Sequence, residues 1–549
     1  MNAADTVLRL NASWVDYSLV ALYFVFVLGI GWAAKSKVSS SIDFFLSGRG
    51  LPAWVTGLAF ISANLGAVEI VGHSANGVQY GFQTMHYFWI GAVPAMVFLG
   101  IVMMPFYYGS KVRSVPEFML RRFGSAAHLV NALSFAIAQL LIAGVNLLLL
   151  AKVVNSLLGW PMWLTLLIAA IIVLSYITLG GLSAAIYNEV LQFFVIVAGL
   201  LPLTIIGLNR VGGWSGLKER VATESHFHTW PGTDISGFAN PAWSVIGIVF
   251  GLGFVLSFGY WTTNFVEVQR SMAAESMSAA RRTPIIGAFP KMFIPFIVVI
   301  PGMVAGTLVT PIMDGSAQPN DAVLYLMRDL LPNGLLGIAI AGLLAAFMAG
   351  MAANISSFNT VMSYDIWQTY IVKDRDDDYY LKFGRIATVI ATFIAVFTAI
   401  IAANFGNVMD YLQTLFGFFN APLFATFILG MFWKRMTPTA GWVLVSGTAA
   451  AIVFWALSLG ADPVVSLPGQ GVAFLAASIA FVTDIVVSLV VSTFTTPKPD
   501  AELVGFVHSV TPKEQLVDAH ETTLPWYRRT VPLGILCLAM VIALNLIFF

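Results

Sequence analysis

The chain has 549 residues, 58% of them hydrophobic and only 10% charged, and its 27 basic and 27 acidic side chains balance to zero net charge. Soluble domains carry about 25% charged residues, so this composition describes a polytopic membrane protein and gives no footing for nucleic acid as a partner. A single cysteine, Cys537, excludes an intrachain disulfide, an iron–sulfur cluster or a cysteine-built zinc site.

The first residues, MNAADTVLRLNASW, lack the short basic-then-apolar pattern of a signal peptide, so insertion is expected to rely on the first span. About 20 apolar residues cross a bilayer. Fourteen segments meet that length, near 14–34, 51–78, 82–108, 127–155, 161–179, 184–208, 241–266, 283–311, 334–366, 383–403, 408–433, 439–459, 471–495 and 529–549. Alternate loops between them hold Lys and Arg in a ratio of twenty to five. The rich set includes Lys35, Lys37, Arg113, Arg270, Arg375 and Arg529; the poor set is Arg9, Arg210, Lys218, Arg220 and Arg328. Positive charge stays inside, which predicts a multi-pass protein of the plasma or inner membrane with both termini outside. The loop at 496–528, with Pro497 and Pro499, and the acidic run Asp374–Asp378 read as solvated cytoplasmic segments, and no soluble catalytic domain fits anywhere. His226 and His228, in an outside loop, read as ordinary polar residues rather than metal ligands. His86, near the start of the third segment, reads as a packed histidine.

Two segments are poor helices. In the second, LAFISANLGAVEIVG (Leu58–Gly72) places Ser62, Asn64, Gly66 and Glu69 at membrane depth. Backbone in lipid must find internal partners, so a polar, glycine-interrupted centre implies a cavity, and Glu69 is a functional candidate by its position alone. The seventh, GLGFVLSFGYWTTNF (Gly251–Phe265), is loosened in the same way by Gly251, Gly253, Ser257, Gly259 and Asn264. Five is odd, so units starting at the second and seventh segments have opposite topologies. Interrupted helices at matching places in two inverted halves point to a transporter site at the bilayer midplane.

The motifs FLSGRGLPAW (Phe45–Trp54), GGLSAAIYNEVLQFF (Gly180–Phe194), VQRSMAA (Val268–Ala274), PKMFIPFIVVIPG (Pro290–Gly302), YDIWQTYI (Tyr364–Ile371) and GMFWKRMTPTAG (Gly430–Gly441) resemble, in order, blocks of the sodium/solute symporter family. The resemblance spans roughly 18–460. It implies an all-α leucine-transporter fold with an inverted five-plus-five repeat. Its parts would be an N-terminal tail, first helix and loop at 1–50, repeats at 51–208 and 241–433 separated by an outer loop at 209–240, and accessory helices at 434–549.

Matched motif by motif to sugar-transporting members, the resemblance places a small polar solute against Glu69, Phe88, Ser257, Lys291 and Gln413, with Tyr260 as a gate on the cytoplasmic side. Two positions depart from that pattern: the sugar transporters' glutamate on the third helix is Phe88 here, and a position usually neutral or His is Glu69. A carboxylate suits a cationic or hydroxyl-rich solute, and Lys291 beside it suits a carboxylate, so sugars, amino acids and other metabolites all fit. For sodium, the family pattern implies carbonyls at Ser62, Leu65 and Ala346, with hydroxyls that here are replaced by Ala349, Gly350 and, for a second ion, Ala353. Glu189 replaces an aspartate near the family's sodium exit. The recurring small residues Gly342, Ala346 and Gly350 also suit close helix packing. Secondary active uptake is therefore expected, coupled to Na+ by resemblance. The missing hydroxyls keep open a proton-coupled symporter or an uncoupled uniporter of the same fold. A sensor finds no soluble module, and an enzyme finds no catalytic constellation or organic cofactor motif.

Overall fold

The computed structural model describes residues 8–35, 40–66, 68–221, 223–230, 235–238, 240–403, 408–459, 462–467 and 469–549. Lys37 and parts of the 209–240 loop lie outside them. Among the described residues the chain is helical, with one isolated β-bridge between Leu51 and Ala274. Among the described residues, eleven helices are long and apolar enough to cross a membrane, and a bent pair makes up to a twelfth. In chain order they are α1 (Trp14–Ala34), α2 (Ala53–Asn64 with Val68–Met85), α3 (Tyr87–Gly109), α4 (Ser125–Leu158), α6 (Gly181–Val211), α7 (Pro241–Thr263), α8 (Met277–Leu308), α9 (Leu335–Ile371), α10 (Asp377–Ala402), α11 (Val408–Phe432), α13 (Gly471–Phe494) and α14 (Thr530–Ile547). The expected fifth and twelfth spans correspond to shorter apolar helices, α5 (Met162–Ser175) and α12 (Ala440–Ala456).

Burial sorts centre from rim. The most apolar stretch of α9 is 89% buried within the protein, that of α14 only 22%. On α10, Ile386, Ile390, Phe393, Phe397 and Ile400 are exposed at helical spacing while Ala387, Ala391, Ala395 and Ala399 are buried. An apolar outer stripe over a small-residue inner stripe is the pattern of a helix with lipid on one side and protein on the other.

The centre is built by close approaches. α9 packs against α4 and α6. A Cβ on Gly199 of α6 would sit 2.9 Å from Ile338 O and 3.0 Å from Ala339 Cα, so the small-residue face read from the sequence is a helix interface. At the other side of the core, the second half of α2 lies against α8: a Cβ on Gly302 would meet Ser74 O at 2.0 Å. α1 is tied to the start of α9 by Asp16. One of its oxygens closes a capping box with Ser13 (Ser13 N 2.7 Å, Oγ 2.6 Å), and the other accepts from Gly334 N and Gly337 N, both at 2.7 Å. A carboxylate at a helix N-terminus satisfies free amides and the helix dipole together.

The breaks have local causes. α2 ends at Asn64, bends by 58° and restarts at Val68 with a wide turn over Val68–Gly72. Gly181, at φ +55°, separates α5 from α6, and a Cβ there would strike Phe44 O at 2.5 Å. α7 stops at Thr263, where the Asn264 side chain caps the next short helix, Phe265–Met272, by accepting from Val266 N at 3.1 Å. α8 is cut near Met292 between Pro290 and Pro295, and Trp89 Nε1 donates to the released Met292 carbonyl at 2.9 Å.

The 496–528 segment is largely exposed, as a solvated linker is, and it is anchored to the helix ends at a few points. Glu521 binds Arg281 at 2.7 Å and accepts from Thr530 N at 2.7 Å, and Asp518 accepts from Ser278 N at 2.6 Å. The buried Arg281 guanidinium needs a counter-charge, and this segment supplies it.

Candidate functional site

Both interrupted helices open into one cavity, of ≈ 770 Å³ measured with its opening. Its walls come from α2, α3, α4, α7, α8, α9 and α11. Glu69, Phe88, Ser257, Tyr260, Lys291 and Gln413 all line it, as does Gly350. Six residues predicted from five different helices therefore meet in one place.

At the centre Lys291 Nζ lies 2.9 Å from Glu69 Oε2, with the lysine side chain 1% exposed. His73 Nε2 is 3.3 Å from the same oxygen. Lys291 also donates to Asn64 Oδ1, and its ammonium sits 4.8 Å from the Phe88 ring and 5.1 Å from the Trp261 ring. Two rings beside an ammonium contribute cation–π attraction, so Phe88, which replaces an expected acid, is a neighbour of the charge rather than a second carboxylate. Below this, Asn64 Nδ2 donates to Tyr260 Oη at 3.1 Å and Tyr260 Oη donates to Glu267 Oε1 at 2.8 Å. The Tyr260 ring packs on Phe416 at 4.6 Å. Polar contacts thus run from Glu69 through Lys291, Asn64 and Tyr260 to Glu267.

The other expected positions fall differently. Ser62, Leu65, Ala346 and Ala349 are fully buried behind the wall, at the level where Gly66 in the α2 break meets Gly350 of α9: a Cβ on Gly66 would be 3.3 Å from Gly350 Cα. α2 ends at Asn64, where the Leu65 amide donates to Ile61 O, and a helix end releases the carbonyls of its last turn from the helical pattern. Ala353 is buried as well. Glu189 is not brought to the cavity. It is held by Arg270 through Nη2 at 2.5 Å and Nε at 3.3 Å, and both residues are buried. Arg270, counted in the sequence among the loop charges, is thus an interior partner.

His73, Trp261, Glu267, Asn146 and Asn354 were not singled out from the sequence. His73 had a signal, since it follows Glu69 by four residues and so shares its helix face. The others come together only through tertiary contacts. His86 is a packed residue, its Nε2 2.6 Å from Thr229 O and its ring 4.4 Å from Trp230. No group of three or more metal-ligating side chains occurs among the described residues, and His228 Nδ1 is 2.8 Å from Phe549 O.

A buried ion pair beside a helix break, enclosed between two interrupted membrane helices, is the architecture of a secondary transporter. The chain belongs to the sodium:solute symporter family, whose sequence model matches residues 44–447. It is 29% identical over 468 residues to a sodium/glucose cotransporter of Vibrio parahaemolyticus, covering 80% of this chain and 84% of that protein. It is also 29% identical over 483 residues to human sodium/glucose cotransporter 4, covering 82% and 70%. Among solved structures, a Na+-coupled sialic acid symporter in a substrate-bound outward-open state aligns with TM-score 0.73 at 19% identity, over 88% of this chain and 99% of that one. Mhp1, a nucleobase-cation-symport-1 family transporter, aligns with TM-score 0.53 at 12% identity, over 84% and 96%. The fold is that of leucine-transporter-like symporters.

Proposed function

We propose that the protein imports a small polar solute by alternating access, driven by the inward Na+ gradient. Glu69, Phe88, Ser257, Lys291 and Gln413 contact the solute, and Tyr260 closes the cytoplasmic side through Asn64 and Glu267. The observation that carries this reading is the Glu69–Lys291 pair, buried in a cavity at membrane depth between two interrupted helices. Relatives named as sodium/glucose cotransporters and a Na+-coupled structural neighbour favour sodium as the coupling ion. The carbonyls near Ser62, Leu65 and Ala346 suit a hard cation. In this reading α5 and α12 also cross, giving fourteen spans, repeats at 51–208 and 241–433, a cell-membrane location and both termini outside.

A paired acid and base suits a solute that exchanges its own polar groups for theirs, so sugars and amino acids are the first solutes to test. Purified protein in liposomes is given a panel of sugars, amino acids and sialic acids under an imposed Na+ gradient, with solute-dependent ²²Na+ entry as the readout. Uptake that follows an imposed proton gradient and ignores sodium overturns the sodium assignment. For topology, a membrane-impermeant maleimide labels Glu224→Cys but not Asp376→Cys in sealed, right-side-out vesicles. The one native cysteine, Cys537, is buried and gives little background.

A further inference from the structure

We propose that a cleft where α2, α8 and α14 begin binds a phospholipid whose headgroup joins a phosphodiester to a primary ammonium, a phosphatidylethanolamine. The cleft encloses ≈ 680 Å³ measured with its opening. It shares no lining residue with the solute cavity. Ala53 and Trp54 of α2, Arg282 and Ile286 of α8 and Leu533 of α14 form its walls, with Glu275 just ahead of α8 and Arg528 just ahead of α14. Backbone contacts fix this frame. Glu275 N donates to Leu51 O at 2.9 Å and Leu51 N to Ala273 O at 3.2 Å, while Glu521 ties Arg281 to the Thr530 amide.

Charge and polarity choose the occupant. The four arginines at these two helix starts divide their work. Arg281 pairs with Glu521, and Arg529 donates to Leu524 O and Thr522 O, both at 3.0 Å. Arg282 and Arg528, which line the cleft, are left over. Arg282 donates only through Nε, to Ser278 O at 3.2 Å, and Arg528 has only the Tyr527 ring, 5.8 Å away, among the described residues. Arg528 acts on Arg282 as a like charge, so an anion between them removes a repulsion and gains charge-assisted hydrogen bonds. Three acids also reach Arg282. Glu521 and Asp518 are bound to Arg281 and the Ser278 amide, whereas Glu275 is exposed and its carboxylate has no partner among the described residues. Two unpaired cations and one unpaired acid match a phosphodiester with an ammonium attached. A headgroup with phosphate alone leaves Glu275 unanswered, and a quaternary ammonium offers it no N–H. Away from the charges the walls are apolar, through Ala53, Ile286 and Leu533. They lead onto exposed side chains of the spans: Trp54, Ile535, and Phe293 one heptad beyond Ile286. Exposed Trp526 and Tyr527 beside Arg528 mark the level of the membrane surface. A free phosphate ester uses only the arginines, whereas acyl chains also cover the apolar walls, as lipids do in basic pockets between spans.

The test uses the full chain, purified in detergent and titrated in mixed micelles with phosphatidylethanolamine, phosphatidylcholine or phosphatidylglycerol of identical acyl chains. Binding is read as the lipid-dependent rise in unfolding temperature and as lipid retained in native mass spectrometry. The parent is expected to be half-saturated by phosphatidylethanolamine at a concentration at least about tenfold lower than by the other two, the scale of one charge-assisted hydrogen bond. Arg528→Gln, which breaks no hydrogen bond within the fold, and Arg282→Gln/Arg528→Gln are each expected to weaken that binding by at least about the same factor. Glu275→Gln is expected to keep lipid binding but lose the preference for phosphatidylethanolamine. Arg375→Gln, in the acidic run after α9, is expected to bind as the parent does. Phosphoethanolamine without acyl chains is expected neither to raise the unfolding temperature nor to displace the lipid; displacement by it overturns the lipid assignment. Equal responses of the parent to the three lipids, or an unchanged phosphatidylethanolamine response in Arg528→Gln, overturn the inference, and Arg528→Gln alone decides if the double variant is not monodisperse. No arm contains solute or depends on sodium, so either result leaves the proposed transport standing.

Discussion

Replacing Glu69 by Gln tests whether the central pair carries a real charge interaction. The Lys291 ammonium is 1% exposed and 2.9 Å from the carboxylate. Removing one partner of such a pair strands the other charge in low dielectric, at a cost of about 3–5 kcal/mol. The lysine keeps Asn64 and two aromatic rings, each ring worth about 0.5–2 kcal/mol, so the lower end, about 3 kcal/mol, is expected. Unfolding entropy near 2.1 cal/mol/K per residue over 549 residues converts this to a fall in Tm of roughly 3 °C for a cooperative transition. Lys291→Met is expected to cost less, because His73 stays 3.3 Å from Glu69. The double variant Glu69→Gln/Lys291→Met buries no stranded charge and is expected near the parent, since replacing both members of a buried pair is often neutral. All three variants are expected to lose solute-driven uptake. Additive Tm losses in the double variant, or single variants within 1 °C of the parent, refute the charge-pair reasoning. Parental uptake in the double variant refutes the role of the pair in the solute site.

Arg270→Met is expected to be among the most destabilising single changes, by about 3–5 kcal/mol, because Glu189 is left as a buried charge; Arg270→Lys rescues little, since an ammonium cannot reproduce the two-nitrogen contact. Monodisperse yield and Tm check both. Tyr260→Phe strips Glu267 of its hydrogen bond at Oε1, while Oε2 already has none among the described residues. A loss of about 1–3 kcal/mol is expected, relieved when Glu267→Gln is added, and Tm across the four combinations measures the coupling. On α8, Gly302→Ala is expected to be severely destabilising because its Cβ would meet backbone at 2.0 Å, whereas Gly306→Ala, with nothing nearer than 3.7 Å, is expected near neutral. Equal Tm for the two would contradict the close α2–α8 approach.

The membrane class, the paired interruptions, Glu69 and Lys291 were legible because membrane depth makes polar residues conspicuous; Phe88, Ser257, Tyr260 and Gln413 were placed only by the family resemblance. Glu69 and Lys291 are each isolated in apolar sequence, and each had to find a partner. The partner of Glu189 was hidden for the opposite reason. That residue, Arg270, sits at the end of a motif that reads as a loop charge, and nothing local shows that the short helix Phe265–Met272 is buried. The anchoring of the 496–528 segment is hidden in the same way: its prolines and charges match the exposed linker that most of it is, and nothing local shows that two of its acids serve Arg281 and the Ser278 amide. Sequence periodicity reports which face of a helix is apolar. It does not report which polar residue on another helix completes it.

The cation chemistry shows what that limit costs. From sequence alone, Ala349, Gly350 and Ala353 record only an absence, which keeps a proton-coupled or uncoupled reading open beside the sodium coupling that the resemblance favours. Asn146 carried no mark, being one polar residue in a 34-residue helix. In the folded chain the glycine at 350 is where that amide arrives, and Gly66 clears the same oxygen from the α2 side. The small residues that let α2 and α9 meet also admit the α4 side chain between them. Two glycines on different helices that face one buried amide become visible only when the helices pack, because nothing local in α2 or α9 marks α4 as their shared neighbour.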